Sequence, residues 1–261
     1  MNRTVVIRTA LAVIVIGLGV WYYVHTRAAK PVVPPVAAQP APAPEEPAIA
    51  HPIPGAGDAS KAPLPDLANS DAALSSAVAA LAGDAAVKSY LAADNIIRRL
   101  VVTVDNLPRQ KVAVDKRPVN APPGSFTADG DELHSTLNAR NFARYQPMVD
   151  VVRKLDMQQL ATVYVRFYPL FQSVYQNLGY PNGYFNDRLV QVIDVLLATP
   201  QISGPIDLVR PNVMYIYADP TLEARPAGQK LLIRMGPENA AVIKAKLVEL
   251  RAAVTAAAPK R

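Results

Sequence analysis

The sequence contains no cysteine, and histidine is almost as scarce, with three residues in a chain of 261. Disulfide bonds and thiolate metal sites are therefore excluded. His134 is the only histidine after residue 65, and no Gly-x-Ser-x-Gly turn is present to supply a serine nucleophile. No cofactor fingerprint and no cluster of metal ligands is found either. We expect no cofactor, no metal ion and no nucleic-acid partner.

Charged residues are absent from Thr9–Val24, which reads TALAVIVIGLGVWYYV. If Arg8 extends its charged end toward the lipid head groups, the apolar stretch reaches about 20 residues, the length of a transmembrane helix. Trp21, Tyr22 and Tyr23 stand together at one end, where aromatic rings favour the membrane interface. A cleaved signal peptide would need small residues at that point. The pattern therefore predicts a retained signal-anchor that contacts the membrane through Thr9–Val24.

Positive residues lie on both sides of this apolar stretch, so charge alone does not fix its orientation. The short N-terminal tail and the large C-terminal part instead favour a cytoplasmic N-terminus and an exported C-terminal domain. Residues 1–29 are predicted to be the tail and the anchor of a single-pass membrane protein.

Proline is concentrated between residues 30 and 65, which hold eleven of the 25 prolines in the chain. Proline fixes φ and lacks the N–H donor, so neither a helix nor a sheet runs through such a stretch. An extended chain of this kind spans about 3.1 Å per residue, or on the order of 100 Å in all. The composition predicts a disordered, proline-rich tether over residues 30–65 that has no pattern for joining a core.

Helical periodicity dominates residues 66–261, which we assign to one globular domain. After Asp156 the apolar and aromatic residues recur every three or four positions as far as Leu178. Asn186 is expected to cap a further helix that ends before Pro200. Other helices are predicted to begin near Ser70, Asp84, Asp94, Asn138, Pro226 and Gly236.

Turn-forming residues interrupt the helical pattern in two regions. Residues 109–137 are irregular, with a small hairpin predicted around Asp129-Gly130. Residues 204–211 are expected to form a loop, and residues 213–217 read equally as strand or helix. The predicted fold class is mainly α, a single helical extracytoplasmic domain with a small irregular or hairpin segment, behind one N-terminal transmembrane helix.

Two carboxylates stand seven residues apart on the helix expected after Asn186. Asp187 and Asp194 share one face with Gln191, and the helical rise separates them by about 10 Å. This is close to the separation in inverting glycosidases, where one carboxyl group protonates the substrate and the other activates water. The catalytic candidates are therefore Asp187, Asp194 and Asp219. Alternatively, these carboxylates have no catalytic role and simply face solvent or pair with neighbouring arginines.

Basic and aromatic side chains supply the candidates for binding. The basic candidates are Arg98, Arg99, Arg109, Arg188, Arg210, Lys230 and Arg234. They would contact an anionic partner, form a solvated helix face or pair with carboxylates inside the domain. An aromatic stripe from Tyr164 to Tyr175 has the spacing to stack sugars, although core packing explains the same spacing.

Several runs of residues share the pattern of one known family. They are IIRR from Ile96, VTVDNLPR from Val102, YPLFQ from Tyr168, LGYP from Leu178, GYFNDRLV from Gly183, LVRP from Leu208, ADP from Ala218 and AGQKLL from Ala227. On these runs the chain, from about Leu64 to Ala253, resembles the bacterial family catalogued as domain of unknown function 3014. Together with the anchor, the resemblance implies a protein of the bacterial inner membrane with a periplasmic domain. It implies no activity.

The sequence favours a non-enzymatic envelope protein that binds or scaffolds a partner protein or a cell-wall component. The alternative is an envelope glycan-active enzyme that uses paired carboxylates. If Asp187, Asp194 and Asp219 met in one open cleft, the enzyme would be favoured. If arginines buried these groups in ion pairs, binding or scaffolding would be favoured.

The retained anchor predicts that the mature protein keeps its first residues. Mass spectrometry of the protein purified from membranes should recover the peptides before Trp21, because no cleavage site of small residues follows the apolar stretch. A mature N-terminus between Ala29 and Ala50 would contradict this prediction.

Overall fold

Helices account for most of the chain after residue 66. The computed structural model describes residues 48–53, 63–131 and 134–256, all within one compact unit, Pro47–Arg261. The α-helices are α1 (Ser70–Ala82), α2 (Asp84–Tyr90), α3 (Ile96–Asn106), α4 (Arg140–Lys154), α5 (Met157–Asn177), α6 (Phe185–Leu197), α7 (Pro220–Glu223), α8 (Ala227–Met235) and α9 (Pro237–Ala256). Short 3₁₀ turns occupy Leu67–Asn69 and Val114–Lys116. The prediction of a mainly α domain is confirmed.

Caps and turn residues set the ends of several helices at the predicted places. The Asp156 carboxylate accepts hydrogen bonds from the N–H groups of Gln158 at 2.8 Å and Gln159 at 3.1 Å. These bonds satisfy donors that the first turn of α5 would otherwise leave unpaired. Gly83 ends α1 with a φ of 86°, a conformation that favours glycine. Pro237 begins α9, where its missing N–H costs no intrahelical hydrogen bond.

A four-stranded antiparallel sheet accompanies the helices; the sequence predicted its first hairpin and left residues 213–217, which contain the last strand, open between strand and helix. The strands are β1 (Ala128–Gly130), β2 (Ser135–Leu137), β3 (Asp207–Val209) and β4 (Ile216–Tyr217), in the spatial order β1-β2-β3-β4. The loop expected at residues 204–211 contains β3, so that expectation was wrong. Strands of two or three residues are too short to show the alternation of apolar and polar side chains by which a strand is recognised.

The main core surrounds α5, a helix of 21 residues. Ile96 and Val101 of α3 and Phe167 of α5 are completely buried in it. Phe171 of α5 stacks on Phe185 at the start of α6, with 5.7 Å between the ring centres. Helix α9 packs across α4, α5 and α6. Burial of each such side chain stabilises the domain by about 1.5–3 kcal/mol. The aromatic stripe of α5 therefore packs the core.

Among the described residues, no helix is both long and apolar enough to cross a membrane. The anchor at residues 1–29 lies outside them, as does most of the tether at residues 30–65, so both stay predictions. The tether residues that are described lie against the domain. Ile53 is only 5% exposed, and Leu64 packs on the same core. The expectation that the tether joins no core is corrected at these positions.

Two glycines with the same φ test how tightly the junction of α8 and α9 is packed. Gly236 has a φ of 86°, and a Cβ added there would lie 2.5 Å from Cγ of Phe142. Gly83 also has a φ of 86°, but nothing lies within 4 Å of its added Cβ. We expect Gly83→Ala to lower the free energy of unfolding by about 1–3 kcal/mol through backbone strain. Gly236→Ala should cost roughly 1–3 kcal/mol more, because the ring must move.

Chemical denaturation of both variants beside the unchanged protein measures this difference. Gly83→Ala serves as the control, because it carries the backbone strain without the clash. Equal losses in the two variants would mean that the junction has room for a methyl group.

Candidate functional site

Asp187 lies in the first turn of α6, and its carboxylate holds backbone from a distant part of the chain. Oδ2 accepts a hydrogen bond from the N–H of Ala50 at 3.0 Å, and Oδ1 accepts one from the N–H of His51 at 2.6 Å. A carboxylate in this turn also complements the positive end of the helix dipole. Both carboxylate oxygens are therefore engaged by the protein itself.

Residues 48–53, which we call the docked segment, are held by further contacts. The N–H of Ile53 donates to the hydroxyl of Tyr184 at 2.7 Å, and Nδ2 of Asn186 donates to the carbonyl oxygen of His51 at 2.8 Å. The Ile53 side chain is buried in the main core. Main-chain hydrogen bonds combined with a pocket for a side chain are a common way of binding an extended peptide. The start of α6 is therefore a surface that holds polypeptide.

Asn186 does not cap α6, contrary to the prediction. The helix begins one residue earlier, at Phe185, and Asn186 is completely buried. Side chains of α5 satisfy the donors at the helix start instead. The N–H of Phe185 donates to Oε1 of Gln172 at 2.8 Å, and the N–H of Asn186 donates to the hydroxyl of Tyr168 at 3.4 Å. A local sequence pattern cannot show an acceptor that another helix supplies.

Asp194 lines the same shallow surface depression as Asp187. Arg251 donates to both of its oxygens, from Nε at 2.7 Å and from Nη2 at 3.1 Å. These hydrogen bonds hold the pKa of Asp194 below its ordinary value. A carboxyl group with a lowered pKa carries no proton at neutral pH, so Asp194 is poorly suited to act as a general acid.

Asp219 stands at the start of α7 and is not among the residues of that depression. Its carboxylate accepts a hydrogen bond from the N–H of Thr221 at 2.7 Å, which caps the helix. The bonds from Thr221 lower the pKa of Asp219. The fold therefore brings Asp187 and Asp194 onto one surface and gives Asp219 a separate structural partner. A catalytic role for the three carboxylates stays a prediction.

Asp105 on α3 is the centre of a buried ion-pair cluster that joins α3 to α6. Nε of Arg188 donates to its carboxylate at 3.1 Å, and Nη2 of Arg188 donates to its carbonyl oxygen at 2.7 Å. Arg109 donates to the other carboxylate oxygen at 2.5 Å, and the hydroxyl of Tyr180 donates to the same oxygen at 3.3 Å. Two of the seven basic binding candidates, Arg188 and Arg109, therefore pair with a buried carboxylate, as the sequence left open, and 53% of the Arg109 side chain is exposed.

Three more of the basic candidates lie on or near the surface. Nη1 of Arg99 donates to the carbonyl oxygen of Asp115 at 2.8 Å, which ties the second 3₁₀ turn to α3. Arg210 lies over the ring of Tyr215, with its guanidinium carbon 5.4 Å from the ring centre. Arg98 is exposed. Of these three, Arg98 and Arg210 leave charge at the surface for a partner.

Lys230 and Arg234 lie one turn apart on α8, and both are held by the domain. Nζ of Lys230 is 2.6 Å from the Glu223 carboxylate. Burial alone would raise the pKa of Glu223, but hydrogen bonds from Lys230 and from the N–H of Tyr217 outweigh it, and the pKa is lowered. The guanidinium carbon of Arg234 lies 5.1 Å from the centre of the Tyr217 ring. These contacts hold Lys230 against α7 and Arg234 against β4.

The docked segment is the part of this region that the sequence did not predict. Its partners, in the first turn of α6 and in the residue before it, lie between 131 and 137 residues away along the chain. The one available signal was Ile49 and Ile53, the only isoleucines between residues 30 and 65. An isoleucine among prolines indicates a contact only weakly, because single exposed apolar side chains are normal on protein surfaces.

Comparison with known proteins gives one match. The model of the family described as Protein of unknown function (DUF3014) matches residues 96–251, which is more than half of the chain. The matched range contains Asp105, Asp187, Asp194 and Asp219. No curated protein and no solved structure matches the chain. The resemblance seen in the sequence is confirmed over residues 96–251, and it brings no activity with it.

Asp105 and Asp194 both pair with arginine but differ in burial, with 7% and 50% of their side chains exposed. We expect Asp105→Ala to lower the free energy of unfolding by about 3–5 kcal/mol, because the largely buried Arg188, 18% exposed, loses its carboxylate partner. Asp194→Ala should cost no more than about 1 kcal/mol, because water and salt screen its pair with Arg251. Urea denaturation of the two variants measures the contrast. Similar small losses would show that the Asp105 cluster contributes little.

Proposed function

The chain belongs to this family of proteins of unknown function, and we propose that it is a membrane-anchored envelope protein whose domain binds or scaffolds a partner. The proposed partner is another protein or a cell-wall component. In this arrangement the N-terminus is cytoplasmic, one helix spans the bacterial inner membrane, and the domain lies in the periplasm. The uncharged run Thr9–Val24 and the prolines of residues 30–65 support the anchor and the tether.

The main support for a binding role is that residues at the start of α6 bind the docked segment. Asp187 accepts two backbone N–H groups, and Ile53 is buried in the core beside it. Recognition through the main chain and one apolar side chain needs no reacting group. The face of α6 that carries the catalytic candidate Asp187 holds a segment of polypeptide in the structure. This contact supports binding over catalysis.

An exposed apolar loop between β3 and β4 supplies a surface for a partner. Val213 is 78% exposed and Met214 is 74% exposed. Arg210 and Tyr215 stack beside them. Methionine, arginine and tyrosine are enriched in protein interfaces, and clustered exposed apolar side chains mark interaction sites. We assign the contact with a protein partner to this loop, residues 210–215.

The alternative function, a glycan-active enzyme, needs one protonated and one ionised carboxyl group on opposite sides of the scissile bond. Asp194 has a lowered pKa beside Arg251 and is ionised at neutral pH. Asp187, the other member of the pair, is engaged by two N–H groups of the docked segment. Substrate would have to displace the docked segment to reach Asp187, so the enzyme has less support than the binding module.

Crosslinking in intact cells tests the proposed function. The full-length tagged chain is crosslinked and purified, and the captured molecules are identified by mass spectrometry. We expect one envelope protein or peptidoglycan fragment to be enriched over an unrelated anchored protein. No enrichment would contradict the binding role.

A loop variant tests where the partner binds. The double change Val213→Asp and Met214→Asp should remove a protein partner, because charge in an apolar contact is not compensated. Val248→Asp changes another exposed valine, 55% exposed on α9, and should leave the partner bound. A protein partner that survives the loop variant would place the contact elsewhere on the domain.

Asp187→Asn separates the structural role of this residue from a catalytic one. Loss of the charge should weaken its two backbone hydrogen bonds by about 1–2 kcal/mol in total. We therefore expect faster hydrogen exchange at the amides of Ala50 and His51, together with poorer complementation of a deletion strain. Asp194→Asn is the matched control, which should leave exchange in the docked segment unchanged. Normal exchange combined with complete loss of complementation in Asp187→Asn would favour the enzyme.

A further inference from the structure

An apolar pocket of about 190 Å³, which we call the cavity, opens between helices of the domain. Side chains from five helices, α1, α3, α5, α6 and α9, line it together with Leu91. Leu74 comes from α1, Leu100 from α3, Phe171 from α5, Leu189 from α6 and Leu250 from α9. The cavity is therefore formed by the packing of the domain and is distinct from the depression that Asp187 and Asp194 share.

The walls of this cavity offer nothing to a polar ligand. All of the lining side chains are hydrocarbon except Tyr164, whose hydroxyl donates to Oδ1 of Asn186 at 3.2 Å. Burial raises the pKa of Tyr164 well above its ordinary value, so the side chain stays neutral. A polar group that entered the cavity would lose its hydrogen bonds to water and find no replacement among the lining side chains.

The size of the cavity suits the end of a hydrocarbon chain. Native interiors contain few voids larger than a water molecule. An apolar cavity of about 150 Å³ in another protein stays dry and takes up benzene. The present cavity is somewhat larger, at about 190 Å³. It therefore has room for a short length of alkyl or prenyl chain.

The cavity also communicates with the surface. Nine of its thirteen lining residues are only partly buried, among them Val78 on α1, Val104 on α3 and Val163 on α5. A chain end can enter past these side chains while the rest of the molecule stays outside. The polar part of a lipid would then remain in water, where its hydrogen bonds are kept.

We propose that this cavity binds the end of a lipid hydrocarbon chain. The occupant is defined by the chemistry of the walls, which are apolar and uncharged, and by the volume. The inference goes beyond the proposed function, because it needs neither a protein partner nor the carboxylates of α6.

Photolabelling of the full-length chain in phosphatidylcholine vesicles tests the proposal. The probe is palmitic acid with a diazirine near the end of its chain, used in one arm as the free acid and in a second arm esterified in phosphatidylcholine. After irradiation, labelled peptides are mapped by mass spectrometry. We expect label on the lining residues of α1, α3 and α5 in at least one arm, and the arm that labels them identifies the source of the chain. Absence of label there in both arms would overturn the proposal.

Two variants that fill the cavity from different helices sharpen the test. Val78→Phe and Val104→Phe should each lower labelling of the lining residues by roughly tenfold or more, because a filled cavity leaves no room for a methylene chain. Val248→Phe makes the same change at an exposed position outside the cavity and should not alter the labelling. Circular dichroism and melting curves check that each variant folds. Labelling that persists in a folded Val78→Phe or Val104→Phe protein would overturn the proposal.

Competition in the unchanged protein gives a measurement that does not depend on any variant. Excess unlabelled palmitic acid should saturate the cavity and remove the label from its lining residues. Label that does not fall with the competitor would reflect general partition into lipid and would also overturn the proposal.

Discussion

The first turn of α6 carries N–H groups that no residue of its own helix accepts, and this requirement organises the surrounding structure. Gln172 and Tyr168 of α5 accept two of them, which fixes α6 against α5. The same turn points Asp187 to the docked segment and, in its next residue, Arg188 to the buried carboxylate of Asp105. One helical turn therefore sets the positions of α3, α5 and the docked segment together. A substitution within it disturbs three packing contacts at once.

The parts of the fold that were predictable are those whose cause is local. Asp156 caps α5 and Gly83 ends α1. Both ends can be predicted because the capping residue lies within a few positions of the repeating apolar residues that mark the helix. The sheet was largely missed because its strands are two or three residues long and gain their hydrogen bonds from partners elsewhere in the chain. Asn186 was misjudged for the same reason, since the acceptors that replace a cap come from α5.

At the candidate site, too, the sequence predicted where the carboxylates lie but not which residues bind them. Helical spacing correctly placed Asp187 and Asp194 on one face of α6, and both line one depression. Their partners come from Ala50 and Arg251, which lie 137 and 57 residues away in sequence. Whether a carboxylate is free for chemistry depends on such partners, and no pattern along one helix reveals them. The seven-residue spacing of Asp187 and Asp194 therefore fits a catalytic pair and also fits the two separate structural contacts that the carboxylates make, with the backbone of Ala50 and with Arg251.

The docked segment also decides where mechanical load enters the domain. A pull on the N-terminal side of the chain meets Ile53 and the backbone bonds to Asp187 and Tyr184 before it reaches α1. The load is therefore passed first to α6 and the main core. Force applied on this side of the chain would reach α1 only after these contacts of the docked segment break.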